Sequence, residues 1–204
     1  MEDAFKVILY FNNGFLFISA LIGLLKFKRL KDIEKWYVYY IIFLFFIEAA
    51  IKISIYVLKL KSIDFLYPLY VSGELLLLGS LFIRKSNLSK YWYIPIFILV
   101  GYFFFVNKIE TNEFKKVFSN IVVISFTGYS LLMEIRKNET NKDRFILVDA
   151  FIFLYYAVSV FIFFMLKQLK TFSNDEVYMI WSMNNILCSF LYLSIIYTFL
   201  KLKK

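Results

Sequence analysis

The chain has 204 residues, 61% hydrophobic and 22% aromatic, with a formal net charge of +9. A soluble domain is about 45–50% apolar, so this composition excludes a soluble enzyme and points to an integral membrane protein, whose positive charge reports topology rather than nucleic-acid binding. There is no histidine and one cysteine, Cys188, which removes histidine acid–base chemistry, His-ligated haem, most zinc sites and an intrachain disulfide.

Apolar runs separated by short charged links predict an all-α polytopic membrane bundle, one integral domain over residues 1–204 with seven transmembrane helices. Glu2 and Asp3, with Lys6 as the only nearby base, do not make a signal peptide, so the first run reads as a retained span over 7–25. The second span is expected over 37–58 and the third over 63–83. The fourth, 91–106, is short, at about 24 Å for a rise of 1.5 Å per residue. The fifth, sixth and seventh are expected over 114–133, 145–166 and 177–200. Trp36, Tyr37, Tyr91, Trp92, Tyr93, Tyr178 and Trp181 lie near span ends, where interfacial aromatic belts form.

The links after the first, third and fifth spans, with the C-terminus, hold 15 Lys and Arg, and the segments on the other side hold 8, with Lys115 and Lys116 counted among these. This bias predicts an outside N-terminus and a cytoplasmic C-terminus. No polar signature recurs in two halves, which weakens an inverted-repeat transporter. The span count equals that of the three-plus-one-plus-three sugar and vitamin carriers, but their proline and motif pattern is absent.

Ionisable residues interrupt two adjacent spans. Glu48 and Lys52 lie inside the second, and Glu74 lies inside the third. A charge at mid-bilayer depth costs about 2.5–3.5 kcal/mol on insertion scales, so these side chains are expected to face the bundle interior. Glu48 and Glu74 are each eleven residues into antiparallel spans, about 16 Å deep. Lys52 follows Glu48 by one turn on the same face. Asn12 and Asn13 in the first span, Asn120 in the fifth, and Trp181, Asn184 and Asn185 in the seventh occupy the same outer half. Together these nine residues are the candidate ligand- or ion-binding set, a pocket opening outward with Glu48, Lys52 and Glu74 at its floor. A purely structural alternative stands beside it: an intrahelical Glu48–Lys52 pair, a neutral Glu74 bonded to a neighbouring Tyr or Asn, and asparagines joining helices at about 0.6–2 kcal/mol each.

Asp149, near the cytoplasmic end of the sixth span, is expected to reach the interface or pair with Arg144 or Arg136, and Glu134 reads as a span end. Pro68 is expected to kink the third helix outside Glu74, and Gly73 to allow close helix approach. The seventh span has no central lysine for a retinal Schiff base, and no aspartate–glycine cluster of a phospho-alcohol transferase is present. No metal site and no cofactor are expected, nor a nucleic-acid partner.

The stretches LYPLYVSGE, with Glu74, and WSMNNILCSFLY, with Trp181, Asn184, Asn185 and Tyr192, resemble those of small seven-helix membrane proteins of flavobacteria and their relatives. The resemblance implies the topology and no particular activity. The leading expectation is a receptor-like or sensory module of a bacterial inner membrane, non-enzymatic, acting through a separate signalling or effector protein. Its rivals are a small transporter or ion-conducting protein, including a defence-associated membrane effector, and a lipid enzyme using Glu48 and Glu74 as acid and base.

Overall fold

The computed structural model describes residues 1–60, 62–105, 112–136, 143–169 and 172–202. Val106, the expected end of the fourth span, lies outside these residues, as do Lys61, Lys108, Lys137, Lys142, Lys170, Lys203 and Lys204 from the charge count. The protein is 87% helix with no strands among the described residues. The helices are α1 (Glu2–Lys26), α2 (Lys35–Lys52), α3 (Leu66–Lys85), α4 (Tyr93–Phe105), α5 (Asn112–Ile135), α6 (Ile146–Leu169) and α7 (Asn174–Lys201). Six are long and apolar enough to cross a membrane, and α4, even with the 3-10 turn before it, is shorter. This is a multi-pass membrane protein in its outward surface too: Leu25 and Phe161 are each 75% exposed and Phe105 is 90% exposed. Water would penalise such a surface, whereas hydrocarbon does not.

Local signals set the helix ends. At α7, Ser173 Oγ accepts from the Glu176 amide while the Glu176 carboxylate accepts from the Ser173 amide. This capping box starts the helix three residues before the expected span. At the end of α3, Asn87 takes a left-handed conformation (φ 50°) and the Leu88 amide bonds back to the Ile83 carbonyl at 2.9 Å, the hydrogen bonding of a Schellman stop. The last turn of α2 widens over Ile53–Val57 into i→i+5 bonding, with Leu58 N to Ile53 O at 3.0 Å, before Lys59 (φ 49°) ends it. Pro68 makes no kink: α3 begins at Leu66, so the proline sits in the first turn, where its missing N–H has no partner to lose.

Around the ring the neighbours are α1, α2, α3, α5, α6, α7 and α1 again, with α4 packed outside on α3. We call the end bearing Met1 the near end and the opposite one the far end. α4 carries the chain back outside the ring, which is what allows α3 and α5 to be parallel neighbours. Two glycines permit close approach. A Cβ at Gly79 would lie 2.6 Å from Ile96 Cδ1 of α4, and one at Gly73 would lie 2.2 Å from Phe43 Cζ of α2. Gly73→Ala is therefore expected to destabilise the bundle by about 1–3 kcal/mol. SDS titration in mixed micelles should show this, with partial recovery in Gly73→Ala/Phe43→Leu.

α5 is patterned inside out. Lys116, Ser119, Asn120, Thr127, Ser130 and Glu134 are buried, while Phe118, Ile121, Leu132 and Ile135 face outward. Their spacing of three, four and seven residues is that of one helical face. In a lipid solvent the polar face is the one that turns inward.

Candidate functional site

Glu74 is 1% exposed and belongs to a buried polar network on four helices. The Lys116 ammonium of α5 donates to Glu74 Oε2, and the Tyr156 hydroxyl of α6 donates to Glu74 Oε1. Tyr70, one turn before Glu74 on α3, donates to the same Oε1 at 3.4 Å, and Lys116 Nζ donates to the Tyr70 hydroxyl at 2.9 Å. The ammonium also lies 4.3 Å from the Tyr70 ring centroid. Tyr40 of α2 closes the network across the ring, with its hydroxyl 3.1 Å from that of Tyr156. Two charges out of water are tolerated only when paired and further hydrogen-bonded, and the tyrosines provide this.

The partner of Glu74 is thus Lys116, which the charge count had assigned to an outer link. Glu74 lies eight residues into α3 and Lys116 four into α5, about 12 and 6 Å by helical rise, a difference a lysine side chain spans. Lys115 is equally buried, and its Nζ has no hydrogen-bond partner among the described residues.

Beside this network, and sharing Tyr40, Tyr70 and Glu74 with it, lies a cavity of about 180 Å3. Asn12 and Asn13 of α1, Glu48 of α2, Glu74 of α3, and Asn184 and Asn185 of α7 all line it. Tyrosines 40, 70, 155 and 192 and Cys188 supply further wall. Its lining reaches a partly exposed rim at Glu48, whose side chain is 32% exposed.

Three of the nine candidate residues do not line it. Lys52 points to the rim, 47% exposed, and holds Glu48 at 3.6 Å within the same helix. Asn120 is buried between α5 and α6, donating to Ser159 Oγ at 3.1 Å. The Trp181 ring packs edge-on against Phe163, and its carbonyl accepts from Asn185 Nδ2 at 2.9 Å.

The asparagines differ in what they have left to offer. Asn12 Nδ2 donates to Asn185 Oδ1 at 3.5 Å, and Asn12 Oδ1 accepts from Ser189 at 3.1 Å. These bonds join α1 to α7. Asn184 Oδ1 is buried with no hydrogen-bond partner in the described structure. An unsatisfied buried acceptor costs about 1–3 kcal/mol, which a donor in the cavity would recover.

A second charged cluster closes the far end. Lys85 of α3 pairs with both Asp149 and Asp143 and donates to the Tyr37 hydroxyl at 3.1 Å. Tyr37 donates to Asp149 Oδ1 at 2.5 Å and stacks on Phe145 with ring centroids 4.5 Å apart. Arg144 makes a two-pronged pair with Glu34 at 2.5 and 2.7 Å. Asp149 is therefore fully buried and held by Lys85, rather than reaching the interface or pairing with Arg144 or Arg136. The reason is position: the end of α3 lies beside the start of α6, while Arg144 turns to Glu34. Glu134 is likewise buried, its carboxylate accepting from the Asp143 amide at 3.1 Å.

The residues that sequence reasoning missed are Lys116, the interior tyrosines and Lys85. A signal existed for the first two. Lys116 heads the polar face of α5, and Tyr155 and Tyr156 lie mid-span, away from the interfaces that explain most membrane tyrosines.

No protein-family model, no curated protein and no solved structure matches the chain.

Proposed function

We propose that the protein is a receptor-like module of a bacterial inner membrane that binds a small ligand from the outer side and acts through a partner protein. The observation that carries this is the convergence of Asn12, Asn13, Glu48, Glu74, Asn184 and Asn185, from four helices, on one cavity inside the ring. The far end, sealed by the Lys85–Asp149–Asp143 cluster, favours binding over passage. With Lys115, Lys116 and Lys85 buried rather than in links, the Lys and Arg bias becomes 14 to 6. That supports an outside N-terminus, and hence an outward cavity.

Occupancy has a physical route to the far end. Tyr40 and Tyr37 are neighbours on α2, and their partners Tyr156 and Asp149 lie two turns apart on α6. A displacement of Tyr40–Tyr156 would move both helices at the Asp149 cluster. Native mass spectrometry tests the binding role. Wild type is expected to retain a small adduct, and Asn184→Leu, which removes the unpartnered carbonyl oxygen together with the Asn184–Tyr155 side-chain hydrogen bond, is expected to lose it. Wild type bare in every preparation would overturn the proposal.

One observation favours a second reading, ion or proton conduction. The polar face of α5 runs from Lys116 to Glu134 through the interior. Under that reading Glu74→Gln abolishes flux in liposomes, and unchanged flux removes it.

A further inference from the structure

We infer that the ligand of the Asn12–Glu48–Glu74–Asn184 cavity is a small organic ammonium ion, an inference that rests on the binding role proposed above. Hydrogen-bonding valence is the first ground. Among the described residues the wall carries two carboxylates, Glu48 and Glu74, and no lysine or arginine, since Lys52 and Lys116 lie outside the lining. Asn12 Nδ2 donates to Asn185 Oδ1 and Asn185 Nδ2 to the Trp181 carbonyl, which takes up one of the two N–H bonds of each amide. Strong acceptors are left open: the buried Asn184 Oδ1, with no partner in the described structure, and Glu48, held by a 3.6 Å contact to an exposed lysine. Glu74 accepts three hydrogen bonds, one fewer than its roughly four lone-pair sites. A wall with two carboxylates, an open carbonyl oxygen and no cation favours a positively charged ligand rich in donors, and an alkylammonium is one.

The aromatic wall is the second ground. Tyrosines 40, 70, 155 and 192 line the cavity, and a cation over a tyrosine face within about 6 Å is attracted by the ring quadrupole. The protein already seats one ammonium this way, with Lys116 against the rings of Tyr70 and Tyr156 at 4.3 and 5.5 Å. A ligand ammonium on the cavity side would meet the same type of surface.

Size is the third. An apolar cavity of about 150 Å3 holds benzene, so about 180 Å3 takes roughly six to eight non-hydrogen atoms by the same measure. That fits a short alkylamine and is too small to enclose a whole lipid or a peptide.

The test is three probes on one skeleton: 3-methylbutan-1-amine, 3-methylbutan-1-ol and 3-methylbutanoate. Each is titrated calorimetrically against the whole protein in nanodiscs, with wild type, Glu48→Gln and Asn184→Leu. The amine is expected to bind at least about tenfold more tightly than the alcohol, as loss of a charge-assisted hydrogen bond implies, and the carboxylate not at all. Glu48→Gln should weaken the amine about tenfold on the same ground while leaving the melting temperature of the empty protein unchanged, because Glu48 is at the rim. Alcohol or carboxylate binding as tight as the amine, and lost in Asn184→Leu, would overturn the ammonium assignment and leave the binding role standing. Amine uptake indifferent to both substitutions would be partition into the bilayer and would overturn the assignment. No binding by any probe, together with bare wild type in native mass spectrometry, would overturn both.

Discussion

Lys116→Met is expected to destabilise the bundle by about 3–5 kcal/mol, the usual cost of leaving one partner of a buried ion pair uncompensated. Glu74 is 1% exposed and its oxygens point at Lys116, Tyr156 and Tyr70. With the ammonium gone, two hydroxyls remain to hold a carboxylate in an apolar bundle. The measurement is the SDS fraction at half-unfolding in mixed micelles. The double variant Glu74→Gln/Lys116→Met should regain most of the loss, because a neutral amide can still accept from both tyrosines. A double variant as unstable as the single would mean that Lys116 acts through its packing against Tyr70 and not through its charge.

The second large effect is expected at the far end. Lys85→Met removes the single ammonium that both Asp143 and Asp149 share. Asp149 has no exposure and would keep, among the described residues, only the Tyr37 hydroxyl as a side-chain partner, so about 3–5 kcal/mol is again expected. Asp149→Asn in the same background should restore part of it. The two variants should also separate in ligand retention. Lys116→Met disturbs the cavity floor directly. Lys85→Met acts eleven residues further along α3, about 16 Å by helical rise, and should leave adduct retention in native mass spectrometry intact wherever the protein stays folded.

Much of the site was legible because depth is a one-dimensional quantity. Asn12, Glu48, Glu74 and Asn184 share a level along the bundle axis, and counting residues from span ends finds that level. Which side chains meet at a level depends on azimuth and on helix order, and hydropathy carries neither. Glu74 therefore looked nearest to Glu48 and Lys52, consecutive in sequence, whereas its ammonium comes from α5, which packs beside α3 because α4 is displaced outside the ring. Lys116 was hidden for a related reason. A lysine one turn inside a helix looks like an interfacial residue until a buried carboxylate is seen opposite it.

The amino-acid sequence by itself determined the all-helical membrane class, the six long apolar helices and the shorter fourth, and the level at which polar groups interrupt them, since these follow from each segment's contact with lipid and from backbone hydrogen bonds closed within the segment. Only the tertiary structure decided that Glu74 pairs with Lys116, that Asp149 pairs with Lys85, that Asn120, Lys52 and Trp181 stand off the cavity, and that α4 leaves the ring. Those outcomes depend on packing between helices, where small residues such as Gly73 and Gly79 and a few buried ion pairs select one arrangement among many that lipid would tolerate equally.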